Sequence, residues 1–67
     1  MRWWLVIPRK TMHLRQVDVA RRVGISSITY GNYETGRLTP RPSTAKKIAA
    51  VLGVDWTRFY EDDEEGK

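Results

Sequence analysis

The sequence predicts a compact all-α domain, a bundle of five short helices. Between the glycines and prolines, apolar residues recur three and four positions apart, the spacing of a helix with one buried face, and not at the alternate positions of a half-buried strand. The chain has 67 residues and no cysteine, which leaves room for one domain and excludes a disulfide scaffold or a thiolate metal site. We therefore expect a single core formed by packed helices.

The first helix is expected to begin at Leu5 or Val6. A proline inside a helix removes a hydrogen bond and clashes with the preceding turn, at a cost of about 3 kcal/mol, but the first turn tolerates it. Pro8 therefore belongs in the opening turn. Trp3 and Trp4 are adjacent, so at least one of them should point away from the core.

The second and third helices are predicted over residues 16–23 and 27–35, with only Gly24-Ile25-Ser26 between them. A turn this short that contains glycine is typical of a helix-turn-helix, whose second helix enters the major groove of DNA. Ser26 is a suitable N-cap for the third helix, and Gly36 a suitable end. The apolar residues expected in the core around this turn are Val19, Ala20, Val23, Ile25, Tyr30 and Tyr33.

Two further helices are predicted in the C-terminal half of the chain. The stripe that indicates the fourth helix consists of Ala45, Ile48, Ala49 and Leu52, followed by Gly53. Asp55 can cap a last short helix that carries Trp56, Phe59 and Tyr60.

The charge is distributed unevenly. Residues 1–60, which we assign to the helical domain, hold eleven Lys and Arg against three acids, a balance of +8. Residues 61–67 hold five acids and one Lys, a balance of −4, and are expected to form a disordered tail. A basic body indicates either a polyanion such as nucleic acid as partner or a merely soluble basic surface. The longest apolar run, residues 3–7, is too short for a membrane span or a signal peptide, so the expected compartment is the cytoplasm.

A set of residues with fixed spacing extends this interpretation. Its members are Arg9, Gln16, Ala20, Gly24-Ile25-Ser26, Tyr33, Glu34, Gly36 and Pro40. With these residues, the chain from Arg9 to Phe59 resembles the phage Cro/cI-type (XRE) helix-turn-helix family. The resemblance implies a lambda-repressor-like fold and a sequence-specific DNA-binding transcriptional regulator, a repressor. It also implies a homodimer that binds a two-fold symmetric site on double-stranded DNA, with no cofactor.

The resemblance further implies which residues contact DNA. The residues expected at phosphates are Gln16, Ser26, Arg37 and Arg41, and those expected at base edges are Ser27, Ile28, Thr29 and Asn32. Asn32 is the best candidate for direct readout, because an asparagine amide can pair with adenine through two hydrogen bonds. Ile28 can make only apolar contact, for which a thymine methyl is the partner, unless it belongs to the core. Ser27 and Thr29 are short side chains that suit either a base or a phosphate.

Two other sets of residues have expected structural roles. In this family, Arg9 and Glu34 form an ion pair that ties the first helix to the end of the recognition helix. Trp56, Phe59 and Tyr60 either pack internally or supply the contact between the two chains of a dimer.

Two other classes of function remain for comparison. An enzyme is not expected, because the chain has one histidine, no metal-binding cluster in its basic part and no glycine-rich phosphate loop. The alternative is an antitoxin, or an anti-repressor or bridging module, whose main role is to bind a protein partner. Three tryptophans supply apolar surface for such a partner. Affinity for DNA that falls steeply with salt would discriminate in favour of the regulator.

Overall fold

The computed structural model describes residues 1–65, with side chains as far as Glu61. This part of the chain contains five helices: α1 (Trp3–Thr11), α2 (Gln16–Val23), α3 (Ser27–Thr35), α4 (Pro42–Leu52) and α5 (Arg58–Glu65). α2 packs against α3 and α4, and α1 also contacts both. The predicted all-α architecture is thereby confirmed. Within the same residues, no helix has the length and apolar character needed to cross a lipid bilayer.

The expected start of α1 is wrong. The helix begins at Trp3, not at Leu5 or Val6, so Pro8 is its sixth residue and lies inside it. Pro8 has no N–H to donate to the preceding turn. The early start is favoured by Arg2, whose amide donates to the carbonyl of Glu34 at 2.6 Å and so holds the residue before the helix against the end of α3. The contact that holds Arg2 thus outweighs the preference of Pro8 for the first turn of a helix.

The turn between α2 and α3 has the predicted form. Gly24 adopts φ +89°, a left-handed conformation that costs glycine little, and its amide donates to the carbonyl of Ala20 at 2.8 Å. Ser26 then caps α3, because its Oγ accepts a hydrogen bond from the amide of Thr29 at 3.0 Å. Both helices therefore have the boundaries expected from their local signals.

One hydrophobic core connects all five helices. Its buried members are Leu5, Val19, Ala20, Val23, Tyr30, Ala45, Ile48, Leu52 and Phe59. Tyr33 and Ile25, which were expected inside, are half-buried at its edge. Of the adjacent tryptophans, Trp3 is 57% exposed and Trp4 packs against the core, so the pair divides as expected.

α5 begins later than its cap suggested and extends into the acidic segment. Asp55 accepts hydrogen bonds from the amide (3.0 Å) and hydroxyl (2.8 Å) of Thr57, and these bonds lower the pKa of Asp55. Asp55 therefore caps the turn that precedes α5. The helix reaches Glu65, which includes most of the segment 61–67; residues 66 and 67 lie outside the described residues. Disorder of this segment stays a prediction.

Of the two roles expected for Phe59, the structure supports internal packing over a dimer contact, because its side chain is fully buried within the chain. Its ring packs edge-on against Trp4, with centroids 4.8 Å apart, and lies 6.5 Å from the ring of Tyr33. An apolar residue on a terminal helix suits an intramolecular core as well as a subunit interface, and here α1 covers it. Trp56 and Tyr60 are only half-buried and remain candidates for such a contact.

Candidate nucleic-acid interface

The side chains expected at base edges all lie on α3. Ser27 and Ile28 are exposed, while Thr29 and Asn32 are half-buried. Ile28 is 78% exposed, which excludes the alternative that it belongs to the core. The Ile28 side chain is therefore accessible to a partner outside the domain.

The cap of α3 decides which hydroxyl can donate to a ligand. Ser26 Oγ accepts from the Thr29 amide and donates to Thr29 Oγ1 at 2.9 Å. The hydrogen of the Ser26 hydroxyl is therefore used inside the protein, whereas Thr29 keeps its own hydrogen to donate. A phosphate at this helix end would thus bond to free backbone N–H groups and to Thr29, with Ser26 as the residue that shapes the cap.

A buried network connects the start of α2 with the end of α3. Glu34 is 2% exposed and Arg9 is 8% exposed. Arg9 donates to both carboxylate oxygens of Glu34, from Nε at 2.6 Å and from Nη2 at 3.2 Å. Its Nη1 donates to the carbonyl of Leu14 at 2.9 Å. Gln16 adds a third bond to the carboxylate, from Nε2 to Oε1 at 2.9 Å. The ion pair implied by the resemblance therefore also holds the side chain of Gln16.

The electrostatics of this network favour its charged form. Burial raises the pKa of Glu34, but the hydrogen bonds from Arg9 and Gln16 outweigh burial and the net pKa is lowered. The hydrogen bond to Glu34 raises the pKa of Arg9 in turn. Burial and the nearby carboxylate raise the pKa of Tyr30, which stays neutral. The carboxylate is thus ionised at neutral pH and can hold the Gln16 amide in one orientation.

Sequence reasoning missed the bond between Gln16 and Glu34. Its one visible signal was Gly31, a residue that is unusual inside a helix. A Cβ placed on Gly31 would lie 3.5 Å from Oε1 of Gln16, which is ordinary van der Waals contact. Gly31 thus faces the Gln16 side chain across the α2–α3 junction, with room for one methyl group.

Gly31→Ala is therefore expected to stabilise the domain by about 1 kcal/mol, because alanine is better than glycine by that amount inside a helix and no clash opposes it. Thermal unfolding measures the change. Gly24→Ala is the matched control: φ there is +89°, so the same substitution should destabilise. A loss of stability in Gly31→Ala would show that the Gln16 side chain cannot accommodate the methyl group.

The start of α2 has its own exposed ion pair. The carboxylate of Asp18 accepts from the amide of Arg15 at 2.7 Å, and the Arg15 guanidinium donates to it from Nε and Nη2, each at 3.1 Å. The side-chain and backbone bonds from Arg15 hold the pKa of Asp18 at about 2. The bond from the Arg15 amide to Asp18 satisfies one backbone donor at the start of α2, next to Gln16. The acid at the third helical position was the available sequence signal.

The loop between α3 and α4, residues 36–41, carries the two arginines expected at phosphates. Arg37 and Arg41 are both exposed, one just after the end of α3 and the other just before α4. Arg2 was missed as a member of this region. It is 5% exposed, and its guanidinium donates to the carbonyl of Leu38 and the hydroxyl of Thr39 in the loop. A charged residue next to the first Met shows no periodicity that would predict this.

Other basic and aromatic side chains at this end of the fold contact each other. The ammonium of Lys46 lies 5.0 Å from the ring centroid of Trp56, a cation–π contact that holds this lysine against the protein. Tyr60 donates from its hydroxyl to the carbonyl of Pro40 at 3.0 Å. Among the described residues, no group of three or more His, Cys, Asp or Glu could hold a metal ion.

A family model described as helix-turn-helix matches residues 9–59, which include α2, α3 and the network around Glu34. The chain belongs to the Cro/cI-type helix-turn-helix family. Members of this family are DNA-binding transcriptional regulators, and the partner that membership indicates is double-stranded DNA. No solved structure matches the chain.

Three curated relatives are similar to the chain. An uncharacterized HTH-type transcriptional regulator of Bacillus subtilis, YqaF, is 39% identical over 62 residues, which is 92% of this chain and 82% of the relative. The ImmF control region 10 kDa protein of Bacillus phage phi105 is 34% identical over 70% of this chain. The cryptic phage CTXphi transcriptional repressor RstR of Vibrio cholerae is 35% identical over 76% of it. The matched region spans about half the length of these two phage proteins (52% and 46%).

Proposed function

We propose that this helix-turn-helix regulator is a sequence-specific repressor that inserts α3 into the major groove of double-stranded DNA. Ser27, Ile28 and Asn32 read base edges. The observation that carries the proposal is the 78% exposure of Ile28 on the first turn of α3, in a helix whose other side is tied to the core by Glu34. Repression is supported by the relative named as a transcriptional repressor.

The proposed phosphate contacts surround this helix. Gln16 lies at the start of α2 with one amide hydrogen directed to Glu34, which leaves its second N–H for a phosphate oxygen. Thr29 and the first amides of α3 offer donors at a helix N-terminus, and Arg37 and Arg41 offer exposed positive charge after α3. Binding is proposed to need no cofactor and to involve no catalysis, and a DNA target makes the cytoplasm the expected compartment.

Selection of bound duplexes from a random pool, followed by salt titration of the selected duplex, tests the proposal. We expect one enriched sequence and an affinity that falls with salt at a slope near −0.9 for each neutralised phosphate. Recovery of no preferred sequence, together with a salt-independent affinity, would exclude DNA as the target.

Asn32→Ala and Arg37→Ala should have different effects on binding. Loss of the Asn32 amide should reduce discrimination at one base pair by about 1–3 kcal/mol and leave the salt slope unchanged. Loss of Arg37 should weaken binding to every duplex alike and reduce the slope by about 1. Competition among the selected site and its single-base variants measures both quantities. Equal weakening on all duplexes in Asn32→Ala would show that the residue does not read a base.

The regulator is further proposed to bind as a homodimer across a two-fold symmetric site, with half-sites about one helical turn apart. Trp56 and Tyr60 are the remaining candidates for the contact, because they are half-buried and packed edge-on with centroids 5.9 Å apart. Inverted repeats in the selected duplexes would support the dimer. A main role in binding a protein partner is not favoured by the relatives, which are named as regulators of transcription.

A further inference from the structure

Arg2 connects three parts of the molecule through one buried guanidinium. Nη1 donates to the carbonyls of Tyr33 (2.8 Å) and Leu38 (2.7 Å), and Nη2 donates to Thr39 Oγ1 (2.8 Å). The guanidinium also lies 5.3 Å from the ring centroid of Phe59 in α5. Tyr33 belongs to the last turns of α3, whereas the other two acceptors belong to the loop 36–41.

The backbone of Arg2 adds to this arrangement. Its amide donates to the carbonyl of Glu34 at 2.6 Å, in the last turn of α3. Arg2 therefore bonds to α3 and to the following loop at the same time. On the other side of the loop, Tyr60 bonds to Pro40.

The two contacts of Arg2 with the loop, to Leu38 and Thr39, lie between the two arginines proposed to bind phosphates. Arg37 precedes and Arg41 follows these two loop residues, and both arginines are exposed. Arg2 itself is 5% exposed, so its own charge is not available to a phosphate. Any effect of Arg2 on DNA binding must then act through the loop and the end of α3.

We propose that Arg2 is a positioning residue, which holds the loop 36–41 against the end of α3 so that Arg37 and Arg41 meet phosphates beside the groove that α3 enters. The inference rests on the proposed function. The chemistry requires arginine, because a planar guanidinium offers five N–H donors in fixed directions and reaches three acceptors at once. A lysine ammonium in the same place keeps the charge but not this geometry.

The test compares Arg2→Gln with the wild-type chain in salt titrations on the selected duplex. For Arg2→Gln, we expect the slope of log affinity against log salt to be smaller in magnitude than in the wild type by about 1 to 2 for each bound protein chain. This is the contribution of one or two phosphates. Arg58→Gln is the matched control, because Arg58 is exposed and its guanidinium, like that of Arg2, lies over an aromatic ring, 5.2 Å from the ring centroid of Trp4. This variant also removes one positive charge and should leave the salt slope unchanged. Val51→Ala, at the edge of the core, controls for lowered stability.

A double-mutant cycle distinguishes positioning from general support of the fold. If Arg2 acts through the loop, Arg37→Ala weakens binding clearly in the wild-type background but by less than about twofold in the Arg2→Gln background. Equal effects of Arg37→Ala in both backgrounds, with an unchanged slope in Arg2→Gln, would overturn the inference while DNA binding by the wild type stands. A wild-type chain without salt-dependent binding would overturn the proposed function and this inference together.

Two variants cover the case in which Arg2→Gln does not fold. Thr39→Val removes only the acceptor of Nη2, and Arg2→Lys keeps the positive charge. Both are expected to reduce the salt slope in the same direction as Arg2→Gln, with folding checked by circular dichroism. Wild-type slopes in both folded variants would exclude a positioning role for Arg2.

Discussion

Glu34→Ala is expected to lower the free energy of unfolding by about 3–5 kcal/mol, the cost of leaving a buried charge without its partner. The substitution leaves the guanidinium of Arg9, which is 8% exposed, with the carbonyl of Leu14 but without the carboxylate that satisfies Nε and Nη2. A domain of this length has a total stability of roughly 3–10 kcal/mol, so the variant should be close to unfolding at 25 °C. Urea unfolding followed by circular dichroism measures the loss.

Arg15→Ala is the control for this substitution. It breaks an ion pair too, but the Arg15 side chain is 75% exposed, and an exposed pair contributes at most about 1 kcal/mol. The amide of Arg15 keeps its bond to Asp18 in the variant. If Glu34→Ala lowered the free energy of unfolding no more than Arg15→Ala does, burial would not determine how much the Arg9–Glu34 pair contributes to stability.

The acid dependence of stability gives a second measurement on the same pair. Because the pKa of Glu34 is lowered in the folded protein, its stabilising contribution is complete above the ordinary value of 4.5 and is lost as the pH falls through the folded-state pKa. Glu34→Ala should remove this part of the acid sensitivity. The parts that arise from Asp18 and Asp55, whose pKa values are also lowered, should remain.

Phe59→Ala is expected to cost about 3–5 kcal/mol of unfolding free energy, the range for deleting a large buried aromatic side chain. The ring is fully buried and touches Trp4, so its removal leaves a cavity between α1 and α5. Trp56→Ala is the control, because Trp56 is half-buried and its loss opens no enclosed cavity. Thermal unfolding of both variants measures the difference.

Protein concentration separates a core role of Phe59 from an interface role. A residue of the intramolecular core lowers stability equally at low and high protein concentration, whereas a dimer contact makes the loss depend on concentration. We expect equal losses for Phe59→Ala. A loss that grows on dilution would place its side chain between chains.

Local signals account for what the sequence predicted well. The boundaries of α2 and α3 depend on Gly24, Ser26 and Gly36, whose conformational preferences and hydroxyl act within four residues. The exposed position of Arg37 follows from its place after such a helix end. Elements of this kind can be predicted because the groups that decide them are neighbours in the chain.

The features that were missed depend on contacts between distant residues. The early start of α1 depends on Arg2, whose partners are 31 to 37 positions away, and the orientation of Gln16 depends on Glu34, 18 positions away. For Phe59, the apolar pattern of α5 indicates a covered face but not whether the cover is α1 or a second chain. No local preference carries this information, because it arises only when the helices pack.

Arg2 and Tyr60, which are 58 positions apart in the sequence, both support the loop 36–41, and this has a consequence for the order of assembly during synthesis. Arg2 leaves the ribosome early, but Tyr60, which bonds to Pro40, is made only after α4 is complete. The helix-turn-helix core can therefore collapse before the loop acquires its second support, because closure of the longer chain segment comes later. Competence to bind DNA should thus arrive only after Tyr60 has been synthesised, when the loop 36–41 is first held from both sides.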